Sequence, residues 1–225
     1  MLSLKPRLAL CAELVRPAKA LADVGTDHAY LPIWLLISGK TPRALACDIN
    51  RGPLESARRS ARLYGVEDRL KLVQSDGLKQ VSREDAEDVV IAGMGGELIL
   101  RIAGETPWLR DPRRRLILQP MTRADKLRAG LWDLGFRILR ERAAEDGGRF
   151  YSAFSAEYAG NLPPCSRLYP YMGELRPGEP AVAEYAEKTA RELGNRLRGA
   201  EHEGDQKSAE ELRRVLQELL EAYRR

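Results

Sequence analysis

This chain lacks a Cys-x-x-Cys pair, a long apolar run and a triple-glycine dinucleotide fingerprint, and each absence removes a class of function. Its three cysteines, Cys11, Cys47 and Cys165, are odd in number and widely scattered. They exclude a disulfide framework and a zinc site, and imply reduced, mostly buried thiols in a cytoplasmic protein. Two histidines are too few for a His-rich site, so no metal is expected. The apolar runs are far too short to span a bilayer, and Met1-Leu2-Ser3-Leu4-Lys5-Pro6 has none of the apolar stretch of a signal peptide. No membrane partner is expected. Aromatic residues are scarce at 6%, and few stand among the basic clusters, so stacking on single-stranded bases is not signalled.

What the 225 residues do hold is one sizeable core and a small appendage, at an ordinary 44% hydrophobic content. An amphipathic opening helix is expected at 7–15. Strands are expected at 20–24, 43–47, 70–74, 88–92 and 116–119, with helices between them at 29–37, 52–64, 96–103 and 123–134. Two β-rich stretches follow at 136–142 and 150–157, joined by the hairpin turn Glu145-Asp146-Gly147-Gly148. The alternation predicts an α/β fold, with a mostly parallel sheet covered on both faces and finished by an antiparallel hairpin. Prolines begin to punctuate the chain near Gly160, which divides it into residues 1–159 and 160–225. In the second part Val182, Ala186, Thr189, Leu193 and Leu197 alternate spacings of three and four, as do Ala209, Leu212, Leu216, Leu219 and Tyr223. These are coiled-coil seams; with a turn at 199–204 they predict an antiparallel helical hairpin. Its expected use is packing or dimerisation ahead of substrate recognition, and a monomer and a weak dimer both stay open.

The segment Asp23-Val24-Gly25-Thr26-Asp27-His28-Ala29-Tyr30-Leu31-Pro32 carries the most chemistry. Strand, glycine turn and helix follow one another as in the first unit of a nucleotide-binding sheet, and the glycine lets backbone approach a ligand. Where a dinucleotide motif has its second glycine stands Asp27, a carboxylate that repels pyrophosphate but not a cationic sulfonium. The turn therefore points to S-adenosylmethionine, with Asp23, Gly25, Thr26, Asp27 and His28 around it. Other candidates fall at the C-terminal ends of later strands, where open α/β sheets bind ligands. Asp48, followed by Ile49 and Asn50, has close to the spacing of an acid that bonds ribose hydroxyls. Asp76-Gly77 can set a carboxylate on the adenine amine, and Gly93, Met94 and Gly95 let backbone run beside donor and target.

Charge is unevenly shared. Residues 160–225 carry 11 Lys and Arg against 12 Asp and Glu, which leaves 26 against 21 for residues 1–159. Three basic clusters stand in that first part: Arg58, Arg59 and Arg62; Arg110, Arg113, Arg114 and Arg115; and Arg123, Lys126 and Arg128. Each alone reads equally as solvated surface. Together they favour a polyanionic substrate, with Arg113, Arg114 and Arg115 as candidate phosphate contacts.

The blocks Asp23-Val24-Gly25-Thr26-Asp27-His28-Ala29-Tyr30-Leu31-Pro32, Ile91-Ala92-Gly93-Met94-Gly95-Gly96 and Leu116-Ile117-Leu118-Gln119-Pro120 resemble the TrmK family. Its members are bacterial S-adenosylmethionine-dependent tRNA methyltransferases that make 1-methyladenosine at position 22. The resemblance runs from about Arg7 to Glu157, and Met121 departs from it, standing where many members have asparagine. It implies a Rossmann-like class I methyltransferase domain with a C-terminal coiled coil, S-adenosylmethionine as cofactor and tRNA as partner.

Neutral adenine N1 already offers an in-plane lone pair, so no strong base is needed. The expected demand is alignment, exclusion of water and a carboxylate beside the charge that spreads over ring and amine. Asp27 is the candidate, with capping of the helix at Ala29 as its structural alternative. His28 reads as a turn or packing residue rather than a base. Tyr30 either lines the adenine pocket or fills core.

Overall fold

The computed structural model describes residues 2–223; Met1, Arg224 and Arg225, at the outer ends of the two expected domains, lie outside them. In chain order the elements are α1 (Pro6–Leu14), β1 (Leu21–Val24), α2 (Tyr30–Ile37), β2 (Ala44–Asp48), α3 (Arg51–Leu63), β3 (Leu70–Gln74), β4 (Asp88–Gly95) and α4 (Gly96–Gly104). Then come β5 (Arg115–Thr122), α5 (Ala124–Asp133), β6 (Phe136–Asp146), β7 (Arg149–Tyr158), α6 (Tyr169–Met172), α7 (Pro180–Glu203) and α8 (Gln206–Ala222).

The seven strands form one sheet in the order β3-β2-β1-β4-β5-β7-β6. Strands β1 to β5 are parallel, whereas β7 runs antiparallel to both β5 and β6. Alternate residues feed opposite faces. Val89 and Ile91 of β4 and Leu116 and Leu118 of β5 join one core, while Val90 and Ile117 join the other. That two-sided burial is why these strands read as unbroken apolar runs. From β1 the chain moves outward through β2 and β3, then returns to place β4 on the other side of β1. The strand order therefore switches between β1 and β4, and a crevice opens at their C-terminal ends.

The closing hairpin forms where expected but is longer, because β6 and β7 pair as far as Asp146 and Arg149. Gly147 and Gly148 have φ of +63° and +75°, the doubly positive conformation of a tight two-residue turn.

The helical hairpin also forms, with its turn corrected. Helix α7 continues to Glu203, so Gly199 is helical and the chain reverses only at Gly204 and Asp205. Gly204 takes φ +74°, and the Asp205 carboxylate caps α8 by accepting the Ser208 N–H at 3.1 Å. The seam is wider than a two-helix stripe. Val182, Tyr185 and Ala186 of α7 pack with Ala143 of β6 and with Met172 and Leu175, as well as with Val215 and Leu219 of α8. Tyr169 packs into the core of the sheet instead. Among the described residues no helix is long and apolar enough to cross a membrane.

Candidate active site

Strand β1 is buried along its whole length and is followed directly by Gly25, where φ is +76°. A Cβ at that position would overlap the tip of the Met94 side chain. Positive φ and close approach both demand glycine here. The backbone N–H groups of Gly25 and Thr26 both donate to the Cys47 carbonyl, at 2.8 and 3.1 Å. The amides that would cradle a phosphate are thus already spent on β2, which supports the exclusion of a dinucleotide.

Asp23 points from β1 into this turn and is 7% exposed. Burial pushes its carboxyl from 3.8 up to about 6, with Thr26 acting in the opposite direction. Thr26 lies beside it without a well-formed bond, since its buried hydroxyl finds no hydrogen-bond partner among the described residues. A buried acid and an unsatisfied hydroxyl at a glycine turn suit a ligand that brings positive charge and a donor. The thiols of Cys11 and Cys47 are pushed up to about 12, first by burial and then by the charge of Asp23, so neither serves as a nucleophile near neutral pH.

Asp27 stands at the mouth, its side chain 83% exposed, with Oδ2 3.5 Å from His28 Nε2. The capping alternative is corrected: Ala29 occupies the N-cap of α2 at φ 55°, with no side-chain cap. A non-glycine residue in the left-handed region is strained, and here the strain turns Asp27 and Tyr30 toward one opening. The His28 and Tyr30 rings stack at 5.1 Å between centroids, and Tyr30 remains 43% exposed rather than filling core. Asp23, Gly25, Asp27, His28, Tyr30 and Gly93 line a cleft of about 490 Å³.

Its remaining wall comes from the N-terminal segment and the start of α1, including Leu4, Lys5 and Leu8 and one residue that the sequence did not signal. Arg7, in the first turn of α1, pairs through Nε with Asp146 at 3.2 Å and donates from Nη1 to Gln119 Oε1 at 3.3 Å. The same Gln119 oxygen accepts the Gly93 N–H at 3.2 Å, and Gln119 is fully buried. Arg7 thereby bolts α1 across the ends of β4, β5 and β6. An isolated arginine at the start of a helix gave no sign of this, because its partners lie more than a hundred residues away.

Asp48 closes β2, where its Oδ1 accepts the Asn50 N–H at 2.8 Å and fixes the carboxylate at the strand end. Ile49 beside it is 57% exposed, an apolar surface next to the acid. Asp76 is ion-paired with Lys79 and Arg101, and the Lys79 bond holds its carboxyl below the usual range. Gly93 takes φ +82° in an irregular stretch of β4, which runs on to Gly95 instead of stopping at 92.

The basic clusters are not brought to this cleft. Arg113, Arg114 and Arg115 precede or begin β5, at the N-terminal ends of the parallel strands and so at the opposite end of the sheet from the glycine turn. Arg113 pairs with Asp111 at 2.7 Å, Arg114 donates to the Ala86 carbonyl, and Arg115 pairs with Glu157 at 2.7 Å. Arg128 is not a surface cation at all; it is fully buried against Glu141. Spacing placed it beside Arg123 and Lys126, but helix rotation turns it inward.

A family model described as a methyltransferase domain matches residues 4–154. The tRNA (adenine(22)-N(1))-methyltransferase of Bacillus subtilis is 35% identical over 156 residues, 69% of this chain. That match spans 66% of the relative's own length. The crystal structure of the B. subtilis m1A22 tRNA methyltransferase TrmK superposes with a TM-score of 0.84 at 27% identity, covering 98% of this chain and all of that one. A proposed tRNA (m1A22) methyltransferase of Streptococcus pneumoniae, solved with S-adenosyl-L-methionine, gives 0.80 at 32% identity, covering 95% and 100%. Sequence and fold agree with the cleft: the chain belongs to the methyltransferase-domain family, and within it to the TrmK group.

Proposed function

We propose that this chain transfers the methyl group of S-adenosylmethionine to N1 of adenine 22 in tRNA, residues 1–159 forming the catalytic unit and 160–225 the helical one. The observation that carries the reading is the turn after β1, where the amides are spent on Cys47, Asp23 is buried and Asp27 stands exposed at the mouth beside His28. The buried Asp23 and the unsatisfied Thr26 hydroxyl suit the cationic donor, and Asp48 suits its ribose. When bound, the donor supplies an electrophilic methyl on a sulfonium. Gly25 and Gly93 let backbone pass close beside it, while Arg7 and Gln119 hold the Gly93 strand end in place. The half-exposed Tyr30, stacked on His28, offers a ring face to the incoming base. As the N1 lone pair bonds to the methyl carbon, the carbon–sulfur bond would break, S-adenosylhomocysteine would leave as a neutral thioether, and the positive charge would pass to the adenine ring and its exocyclic amine. The Asp27 carboxylate offsets that charge and accepts the amine proton as it leaves.

A stacked base must be pulled out to reach this cleft, at a cost of a few kcal/mol supplied by contacts elsewhere on the RNA. Methyl transfer from labelled donor to unmodified bulk tRNA, followed by nucleoside mass analysis, tests the reading. We expect 1-methyladenosine, and much poorer turnover of a short oligonucleotide spanning the site. Label in protein or in another nucleoside overturns it.

Asp48→Ala gives a separate check on the donor. Charge-assisted hydrogen bonds to ribose contribute about 1.5–3 kcal/mol each, so the donor Kd is expected to rise by roughly tenfold or more. An unchanged Kd by calorimetry removes Asp48 from the donor site.

A further inference from the structure

On the far side of the β5 end lies a second cleft, of about 530 Å³, between the catalytic sheet and α7. Met121 and Thr122 and the start of α5 form one wall, and Lys188 and Arg196 of α7 the other. β5 residues Pro120 and Thr122 pair with Met94 and Gly95, so this cleft adjoins the strand end that lines the first. Arg128 lies at its floor and belongs to a buried ion pair. Arg128 of α5 and Glu141 of β6 both have fully buried side chains, 2.7 Å apart.

The guanidinium reaches every neighbouring element. It donates to Glu141 Oε1 from Nε and Nη2, at 3.2 and 2.7 Å, and to the Pro170 and Tyr171 carbonyls of α6 at 3.0 and 2.8 Å. Nη2 also meets Ser152 Oγ of β7 and the Tyr185 hydroxyl of α7, both at 3.0 Å. The second Glu141 oxygen accepts the Glu174 N–H at 3.0 Å. Gly173 lies over the pair at φ +54°, and a Cβ there would overlap Glu141 Oε2. Burial opposes the charge on Arg128, yet Glu141 and Tyr185 outweigh it and hold the guanidinium protonated.

Apolar side chains would glue α7 to the sheet at least as strongly, because a buried ion pair must first recover its own desolvation. What the planar fork adds is direction: it fixes where α7 sits, beyond merely holding it there. Across the cleft Arg196 reaches Asp125 at 3.1 Å, the carboxylate that Arg123 also approaches at 3.4 Å. The cations of the two walls are thus in register only while α7 holds this position.

We propose that Arg128 and Glu141 are positioning residues for the substrate: their buried pair sets α7 against the C-terminal end of β5 so that RNA gripped between the two walls presents its base to the methyl-transfer cleft. The substrate part of this rests on the proposed function; the geometric part does not.

The test uses the full chain carrying Arg128→Met with Glu141→Leu, which removes both charges and keeps the volume. The variant is expected to bind donor as the parent does and to retain kcat at saturating tRNA. Its KM for tRNA should rise by about tenfold, the scale of a misplaced binding wall. In parallel, spin labels at Arg58→Cys of α3 and Arg214→Cys of α8, with Cys165→Ser, report the placement of the hairpin. A broadened distance distribution in the double variant is expected. A parental KM, or an unbroadened distribution, overturns the proposal. Should the double variant not fold, Tyr185→Phe removes one hydrogen bond from the pair at constant shape. A KM raised about threefold is then expected, and an unchanged KM overturns the proposal. If the parent itself does not methylate tRNA, the functional reading fails and with it the substrate part, while the distance distribution still decides whether the pair sets α7.

Discussion

Asp27→Asn is expected to bind donor as the parent does and to lose methyl-transfer rate by about 10²–10⁴-fold, the range for a positioned acid–base group. Asparagine keeps the shape but can neither offset positive charge on the adenine nor accept its proton. Stability should not change, because Ala29 rather than Asp27 occupies the N-cap of α2 and the Asp27 side chain is largely in solvent. Single-turnover rates at saturating donor and tRNA, run beside thermal melts, check both halves of the expectation. An active Asn variant would leave Asp27 as no more than a partner of His28. The catalytic role would then pass to the backbone around Gly93, Met94 and Gly95.

Asp23→Asn should do something less usual, raising stability while weakening the donor complex. Burial lifts the Asp23 carboxyl from 3.8 to about 6. Between those values the folded chain binds more protons than the unfolded one, so stability falls as pH rises through that window. The cost is complete above pH 6, absent below pH 4, and amounts to roughly 3 kcal/mol. Removing it should raise the Tm near neutral pH by roughly 6–12 °C for a chain of this size and flatten the decline between pH 4 and 6. The parent's affinity for the cationic donor should rise with pH up to about 6 and then level off, whereas the Asn variant should bind weakly throughout. Melts and calorimetry across that range decide it. An Asn variant no more stable than the parent would mean that Asp23 is not held charged in the empty cleft. Undiminished donor binding would mean that its charge serves no ligand. On the proposed reading, the buried acid gives up folding stability for donor binding.

The central parallel strands were legible because two-sided burial leaves uninterrupted apolar runs, as at Val89, Val90 and Ile91 of β4; the edge strand Leu70–Gln74 formed with the expected bounds although only Leu70 is fully buried. The glycine turn was legible because its parts are contiguous: Asp23, Gly25, Asp27 and Tyr30 stay together however the rest of the chain is arranged. The helical hairpin was legible in outline, but its turn was drawn too early, since Gly199 breaks a pattern in sequence without breaking a helix held by packing.

The charged residues behaved differently. Arg113, Arg114 and Arg128 look alike in a string of letters. The first lies exposed beside Asp111, the second bonds the Ala86 carbonyl, and the third is sealed beneath α7. Which face of α5 turns inward, and whether a carboxylate such as Glu141 waits there, depends on residues far away in the chain. Arg7 and Gln119 joined the site for the same reason, meeting across 112 positions. Local order in the chain was enough for the strands, the glycine turn and the placing of acids at strand ends, because period and adjacency survive any tertiary arrangement. Only the folded structure decided which charges are buried, which are paired and which face the cleft, because those depend on the partner that three-dimensional packing brings.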